Sequence, residues 1–318
     1  MNEDEIKKII LDSYLKILKR EADIDGLNYY LDLMKKGEIN QEKLENILTN
    51  SDEFIGYKQI EKSLSKKLKN YDQIKIPKIV AMYRIRNEAR WIEKSLEQTS
   101  KICQEIVILD DCSTDNTVEI CKKFSNVVEI HERKEQLPLD EVRDRNIVLE
   151  LALKLNPDYI LIIDGDEVLM NNSKEILYEE LSVLYPEAKI VYLQILDVWD
   201  KSNQIRIDGL YGKTWRPSLL KIDKTLPPLK FIPTKYPGNL HCGSIPSNTI
   251  GIDNSIRSNA KIIHCASLDE SIRSQKYQWY VNKDPDSPLT DNYQHMIGAR
   301  GHFSGDILKF KSIPLFLS

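Results

Sequence analysis

Between Tyr159 and Leu169 the chain reads YILIIDGDEVL, an apolar run that ends in three carboxylates, Asp164, Asp166 and Glu167, interrupted only by Gly165. Concentrating negative charge at the end of a buried strand is costly unless a positive group meets it. An Asp-x-Asp pair on a turn lets one carboxylate reach a divalent ion while its neighbour contacts a hydroxyl or water. Mg2+ and Mn2+ favour such hard oxygen donors and are commonly shared with substrate phosphates. The plainer alternative is that the acids cap a helix beginning near Asn172. A second acidic turn, DDCSTDNT (110–117), follows another apolar run. Asp110 and Asp111 end that strand, and a carboxylate there could accept hydrogen bonds from an imide N–H or from ribose hydroxyls. Ser113, Thr114 and Asp115 would equally serve as caps for the helix behind.

The elements that must position these groups alternate. IVAMYRI (79–85), EIVILD (105–110), NVVEIHE (126–132) and YILIID (159–164) read as strands. Helical patterns lie between them at 88–103, 117–124 and 139–155. That alternation predicts a parallel sheet with right-handed crossovers, whose ligands bind beyond the carboxyl ends of the strands. Charge collects at that rim: Arg84, Arg86 and Glu88, then Asp110 and Asp111, then Asp164 and Asp166. After residue 172 the pattern weakens to a long strand at 188–199, a proline-containing loop region, and a last helix near Ser267 with Glu270 at capping-box spacing. Residues 1–70 read as a separate helical module, with Ile6, Ile10, Tyr14, Ile17 and Leu18, then Leu44, Ile47 and Leu48, at helical spacing. The basic stretch 62–70 reads as a linker.

Taken together, IVAMYRIRNEARWIEKSL, EIVILDDCSTDNTVEI, VRDRNIVLELA and YILIIDGDEVL resemble the family 2 glycosyltransferases. The resemblance implies an α/β GT-A fold, a Rossmann-like, mostly parallel central sheet flanked by helices. Added to it is the small all-α N-terminal domain. It also implies an inverting transfer of a sugar from a nucleotide donor to a hydroxyl or other nucleophile. A glycosyltransferase domain over 75–265 would divide into a nucleotide half (75–170) and an acceptor half (171–265), followed by a helical extension at 266–318. On that resemblance Asp111 would hold the donor base, with Asp110 behind it. Tyr83, Arg84, Arg86 and Glu88 would line the nucleotide pocket, and Arg145 would lie near the nucleotide. Asp164 would face the ribose, and Asp166 would coordinate Mn2+ or Mg2+ bridging the diphosphate. His264, after an apolar run, matches the place of a late metal-binding histidine; a structural histidine is the alternative. Cys112 stands where the family has a glycine, which suggests a turn that does not rely on positive φ.

Inversion needs a general base for the acceptor's proton. Asp197, near the end of the 188–199 strand, and Asp208, after it, are equal candidates, with a solvated loop acid as the alternative for each. Trp199, Tyr211 and Trp215 could stack on sugar faces or serve the core. A UDP-sugar is the favoured donor, and the acceptor is expected to be a carbohydrate or glycosylated molecule.

A net charge of -4 gives no reason to expect nucleic acid as a partner. Five cysteines, odd in number and without a CxxC, suggest reduced thiols in a cytoplasmic protein. The N-terminal MNEDEIKK is not signal-like, while the apolar tail Ile313–Ser318 leaves peripheral contact with the inner face of a membrane open. Self-association is open as well. Four further readings compete. His241-Cys242 and His264-Cys265 suggest zinc, but their spacing matches no finger or ribbon. Glu21, Asp23, Asp25 and Gly26 partly follow an EF-hand loop, against a simple helix–helix turn. YILIIDGDEVL also fits a haloacid-dehalogenase-like phosphatase, with Asp164 as nucleophile, and a non-catalytic sugar- or partner-binding protein is the third function class.

Overall fold

The computed structural model describes residues 2–18, 22, 24–51, 54, 76–138, 140–223, 228–233, 242–249, 252–283, 291–298 and 307–313. His241, the basic stretch 62–70, Glu21 and Asp23 of the calcium-like loop, and the tail 314–318 lie outside the described residues. The chain forms two units, Met1–Ile74 and Lys75–Ser318.

In the first unit the helices are α1 (Glu3–Leu18), α2 (Ile24–Lys35) and α3 (Gln41–Thr49). Their apolar stripes meet in one core containing Ile6, Ile10, Tyr14, Ile17, Leu18, Leu31, Met34, Leu44 and Leu48. Asn40 caps α3, its side chain accepting from the Lys43 N–H. Ile47 is the exception to the expected stripe and stands 38% exposed, since Leu44 and Leu48 already define the buried face.

The second unit is built on β1 (Ile79–Ile85), α4 (Ile92–Thr99), β2 (Glu105–Asp110), α5 (Thr117–Cys121), β3 (Val127–Glu132), α6 (Glu141–Lys154), β4 (Tyr159–Ile162) and β5 (Glu167–Leu169). It continues with α7 (Ser173–Glu179), β6 (Ile190–Trp199), β7 (Lys201–Arg206), β8 (Trp215–Lys221), β9 (Ser255–His264), α8 (Glu270–Lys283) and β10 (Phe310–Ser312). The fold class is α/β, a central sheet flanked by helices, as expected. Strands β3, β2, β1 and β4 are adjacent and parallel, and β8, β6, β7 and β10 extend the sheet antiparallel. β9 runs parallel to β6 and antiparallel to β5. The C-terminal stretch is therefore not only helical, because β10 pairs with β7. The last helix starts at Glu270 rather than near Ser267, whose carbonyl instead accepts from Arg273 Nη1 at 2.6 Å.

The period of two sorts the strand residues. Ile79, Ala81, Tyr83 and Ile85 pack with Ile92 and Leu96 of α4 on one face, whereas Val80 and Met82 pack with Val148, Leu149 and Ala152 of α6 on the other. Tyr83 is thereby committed to the core: it is fully buried and its hydroxyl bonds Ser95 at 2.9 Å and Thr99 at 2.7 Å. The expectation that Tyr83 lines the nucleotide pocket is corrected on this ground. Its neighbour Arg84 points to the opposite face.

Cys112 also departs from expectation. Its φ is +61°, so the β2–α5 turn adopts the left-handed backbone although glycine is absent. Cross-turn hydrogen bonds hold it there. The Asn87 N–H donates to Ser113 Oγ at 2.9 Å, the Thr114 N–H donates to Asn87 Oδ1 at 2.8 Å, and the Ser113 N–H donates to Asp110 Oδ2 at 3.0 Å. A left-handed non-glycine residue costs about 1–2 kcal/mol, and glycine's added unfolded-state freedom offsets about half of that. Cys112→Gly is expected to raise unfolding stability by about 0.5–1 kcal/mol in denaturant titration; a loss would show that the thiol contributes packing that outweighs the strain.

Candidate active site

The carboxyl ends of β1 and β4 and the end of β9 open into one cleft of about 290 Å³. Arg84 enters from the end of β1, Arg86 and Glu88 from the segment after it, Asp164 and Asp166 from the turn after β4, and Arg145 with Glu141 from α6. His264 closes β9, while Lys276, Trp279 and Tyr280 come from α8. Eight of the residues expected from sequence thus meet or adjoin here: Arg84, Arg86, Glu88, Asp111, Arg145, Asp164, Asp166 and His264.

The β4–β5 turn separates its three acids by direction. Glu167 turns inward, where Arg216 of β8 grips both its oxygens at 2.6 and 2.5 Å, and Glu167 Oε2 also accepts the Asp164 N–H at 3.0 Å. Burial pushes the Glu167 carboxyl above its ordinary range despite the arginine. Asp164 is half-buried in the cleft, 3.1 Å from Arg145 Nη2 and 3.6 Å from Arg216. Asp166 faces His264 and Lys276. The Lys276 ammonium donates to its Oδ2 at 2.8 Å, and His264 Nε2 lies 3.7 Å from the same oxygen. Burial alone would raise the Asp166 carboxyl, but the two cations beside it hold it well below the usual carboxylate range. Gly165 is required by close packing: a Cβ there would sit 2.7 Å from Glu88 Cγ.

Strand register brings His264 to this turn. It pairs with Glu167 across β5 and with Asp197 across β6, and its Nδ1 bonds Asp197 Oδ1 at 2.7 Å. A carboxylate on the far ring nitrogen is the arrangement that fixes a ligating imidazole. Burial opposes its protonation, yet the facing Asp166 and Asp197 raise His264 well above its ordinary value. Among the described residues no group of three or more His, Cys, Asp and Glu side chains is gathered as a metal cage. Cys265 is buried in a core cluster, and the Cys242 N–H donates to Glu141 Oε2 at 3.1 Å.

The second acidic turn is held by arginines. Asp111 accepts from Arg133 Nη1 at 2.7 Å and from Arg84 Nη2 at 3.3 Å, and the buried Asp144 binds Arg84, Arg133 and Arg143. Asp110 is buried behind it. Asp111, Arg84, Arg86, Gln136, Trp279 and Tyr280 border an adjoining cavity of about 610 Å³.

The two expected bases are elsewhere engaged. Asp208 is 3% exposed and bound bidentately by the fully buried Arg206 at 2.7 and 2.9 Å. Trp199 and Tyr211, read as possible sugar platforms, flank that same guanidinium at 4.5 and 4.1 Å. Asp197 is taken by His264. Glu88, by contrast, lines the cleft and a smaller cavity of about 210 Å³ that Asp166 also borders, with Arg90, Trp91, Ala266 and Ile272. Burial first, then the nearby Asp166, pushes the Glu88 carboxyl up to about 8. Lys276, Trp279, Tyr280, Arg133 and Arg216 were not singled out from sequence as site residues. The i, i+3, i+4 spacing of Lys276, Trp279 and Tyr280 was the one available signal.

Residues 84–234 match the family described as Glycosyl transferase family 2, and residues 8–57 match a domain of unknown function, DUF4214. Through this region, a little under half of the chain, the protein is similar to glycosyltransferase family 2. It is 27% identical over 94 residues to uncharacterized proteins of Mycobacterium bovis and Mycobacterium tuberculosis, covering 28% of this chain. The match spans about a quarter (23%) of the length of those curated relatives. Among solved structures, S. aureus TarS 1-349 in complex with UDP-GlcNAc aligns with 70% of each chain at 14% identity and a TM-score of 0.43. The mannosyltransferase PcManGT of Pyrobaculum calidifontis, in complex with GDP-Man and Mn2+, aligns with 37% of this chain and 36% of its own at 20% identity and a TM-score of 0.31.

Arg216→Met would leave the buried Glu167 without its cation. Removing one partner of such a pair is expected to cost about 3 kcal/mol in denaturant unfolding, and Glu167→Gln, which keeps a hydrogen-bonding side chain, about 1 kcal/mol. Equal costs would show that the charge pairing is not what supports the turn.

Proposed function

We propose that the chain is a divalent-cation-dependent, inverting glycosyltransferase that takes a sugar from a nucleoside diphosphate sugar, UDP-sugar favoured, and passes it to a carbohydrate or glycosylated acceptor. The observation that carries this reading is the pairing of Asp166 with His264, 3.7 Å apart, at the rim where Asp111 and the arginines also lie. A carboxylate and an imidazole are too few for a closed structural site. They suit Mn2+ or Mg2+, which would draw its remaining donors from phosphate and water. When bound, such an ion stabilises the negative charge of the departing diphosphate.

The chain's own residues account for the rest. Asp111 and Asp164 are assigned to the base and ribose, with Asp110 behind Asp111. Arg84, Arg86 and Arg145 supply the positive field around the nucleotide. Asp197 orients His264 through Nδ1. Glu88 lines both the nucleotide cleft and the smaller cavity that Asp166 also borders, and a carboxylate so placed is positioned to take up the acceptor's proton. This replaces Asp208, whose oxygens are occupied by Arg206, and Asp197 as the base. On this reading 75–170 is the nucleotide half and 171–265 the acceptor half. The N-terminal module (1–70) would serve the acceptor, a partner or a second copy. No described helix is long and apolar enough to cross a membrane.

UDP with Mn2+ is expected to raise the melting temperature, since ligand at a hundredfold over its Kd adds about 2.7 kcal/mol, roughly 5 °C or more for a chain this size. Asp166→Ala should abolish that shift, and no shift with any nucleoside diphosphate and metal would overturn the assignment. Glu88→Gln should lower kcat by about 100-fold or more while UDP affinity stays within about threefold. A loss confined to KM would remove Glu88 from the proton transfer.

A further inference from the structure

Two side chains address the same oxygen of Asp166. Lys276 Nζ is 2.8 Å from Oδ2, and His264 Nε2 is 3.7 Å from it. The ammonium therefore occupies the side of Asp166 that must face any ion shared with His264. Lys276 also borders all three cavities around the turn. Its helix is pinned independently: Arg273, one turn earlier in α8, bonds the Ser267 carbonyl at 2.6 Å and Asp200 at 2.8 Å and lies 4.4 Å over the Trp199 ring. With the backbone so anchored, the four-carbon stem of Lys276 is the part free to swing, and a lysine ammonium is a compact point charge suited to phosphate oxygens.

We propose that Lys276 is a built-in counter-ion that keeps Asp166 closed to divalent cations until a nucleoside diphosphate draws the ammonium away, so that ion and donor load together. The inference rests on the metal and nucleotide reading of the same site. An ion arriving alone must displace a charge-assisted hydrogen bond and gains no phosphate oxygens in return. An ion arriving with a diphosphate meets an Asp166 whose lysine has a better partner. The same exchange leaves a positive charge against the diphosphate.

The test is Mn2+ binding to the full chain, followed by electron paramagnetic resonance, without nucleotide and with saturating UDP. Wild type should bind Mn2+ weakly alone and about tenfold or more tighter with UDP. Lys276→Met should bind Mn2+ alone about tenfold tighter than wild type and lose most of the UDP coupling, while Lys276→Arg should stay close to wild type. Arg90→Met removes one positive charge from the smaller cavity that Asp166 and Lys276 border, where Arg90 pairs with Asp269, and should leave Mn2+ binding without nucleotide within about threefold. Equal Mn2+ affinity in wild type and Lys276→Met would overturn the inference. So would a rise in Arg90→Met matching that in Lys276→Met, or UDP binding to wild type that ignores Mn2+. Failure of the underlying reading looks different: Asp166→Ala would bind Mn2+ in the presence of UDP as wild type does. Thermal unfolding of each variant verifies that the comparison is between folded proteins.

Discussion

The structure depends on placing three carboxylates at the end of one buried strand. Each is matched by a cation from a segment later or earlier in the chain. Arg216 of β8 holds Glu167, Arg145 of α6 holds Asp164, and Lys276 of α8 holds Asp166. An unpaired buried carboxylate would be protonated or would destabilise the turn by several kcal/mol, so these partners are a condition of the fold. They differ in what they permit. Arg216 meets Glu167 in a two-pronged grip that leaves little for a ligand to take, whereas the single ammonium on Asp166 is exchangeable.

That difference divides the rim into a supporting part and a working part. Glu167 with Arg216, and Asp144 with Arg84, Arg133 and Arg143, form buried networks whose members satisfy one another. Asp164, Asp166, Glu88 and His264 stand on those networks and border open space. On the proposed function, support of this kind would fix the groups that meet a polyanion before it arrives. The antiparallel half of the sheet adds to this, since the pairing of β9 with both β5 and β6 delivers His264 and Asp197 together.

Much of the parallel half was legible in the sequence. β2 at Glu105–Asp110 follows the apolar run residue for residue, and α6 begins at Glu141 behind Asp140, whose side chain caps it. Strand periodicity also explains why Tyr83 does not line the cleft. Tyr83 shares the face of Ala81 and Ile85, so it belongs to the core, and only its neighbour Arg84 can reach the cleft. The left-handed Cys112 was not legible, because the hydrogen bonds that hold it come from Asn87, more than twenty residues away in the chain.

By itself the sequence determined which residues could carry charge to the rim, since apolar runs ending in Asp or Arg must deliver those groups where strands stop. Which charges would neutralise one another, and which would be left facing a ligand, only the tertiary structure decided. Asp208 and Glu88 are both plausible bases as residue types. The first is closed off by Arg206 and two aromatic rings, while the second borders two cavities, and that outcome depends on packing between segments far apart in the chain. Pairing energies of ions depend on distance and burial, and neither is written in local spacing.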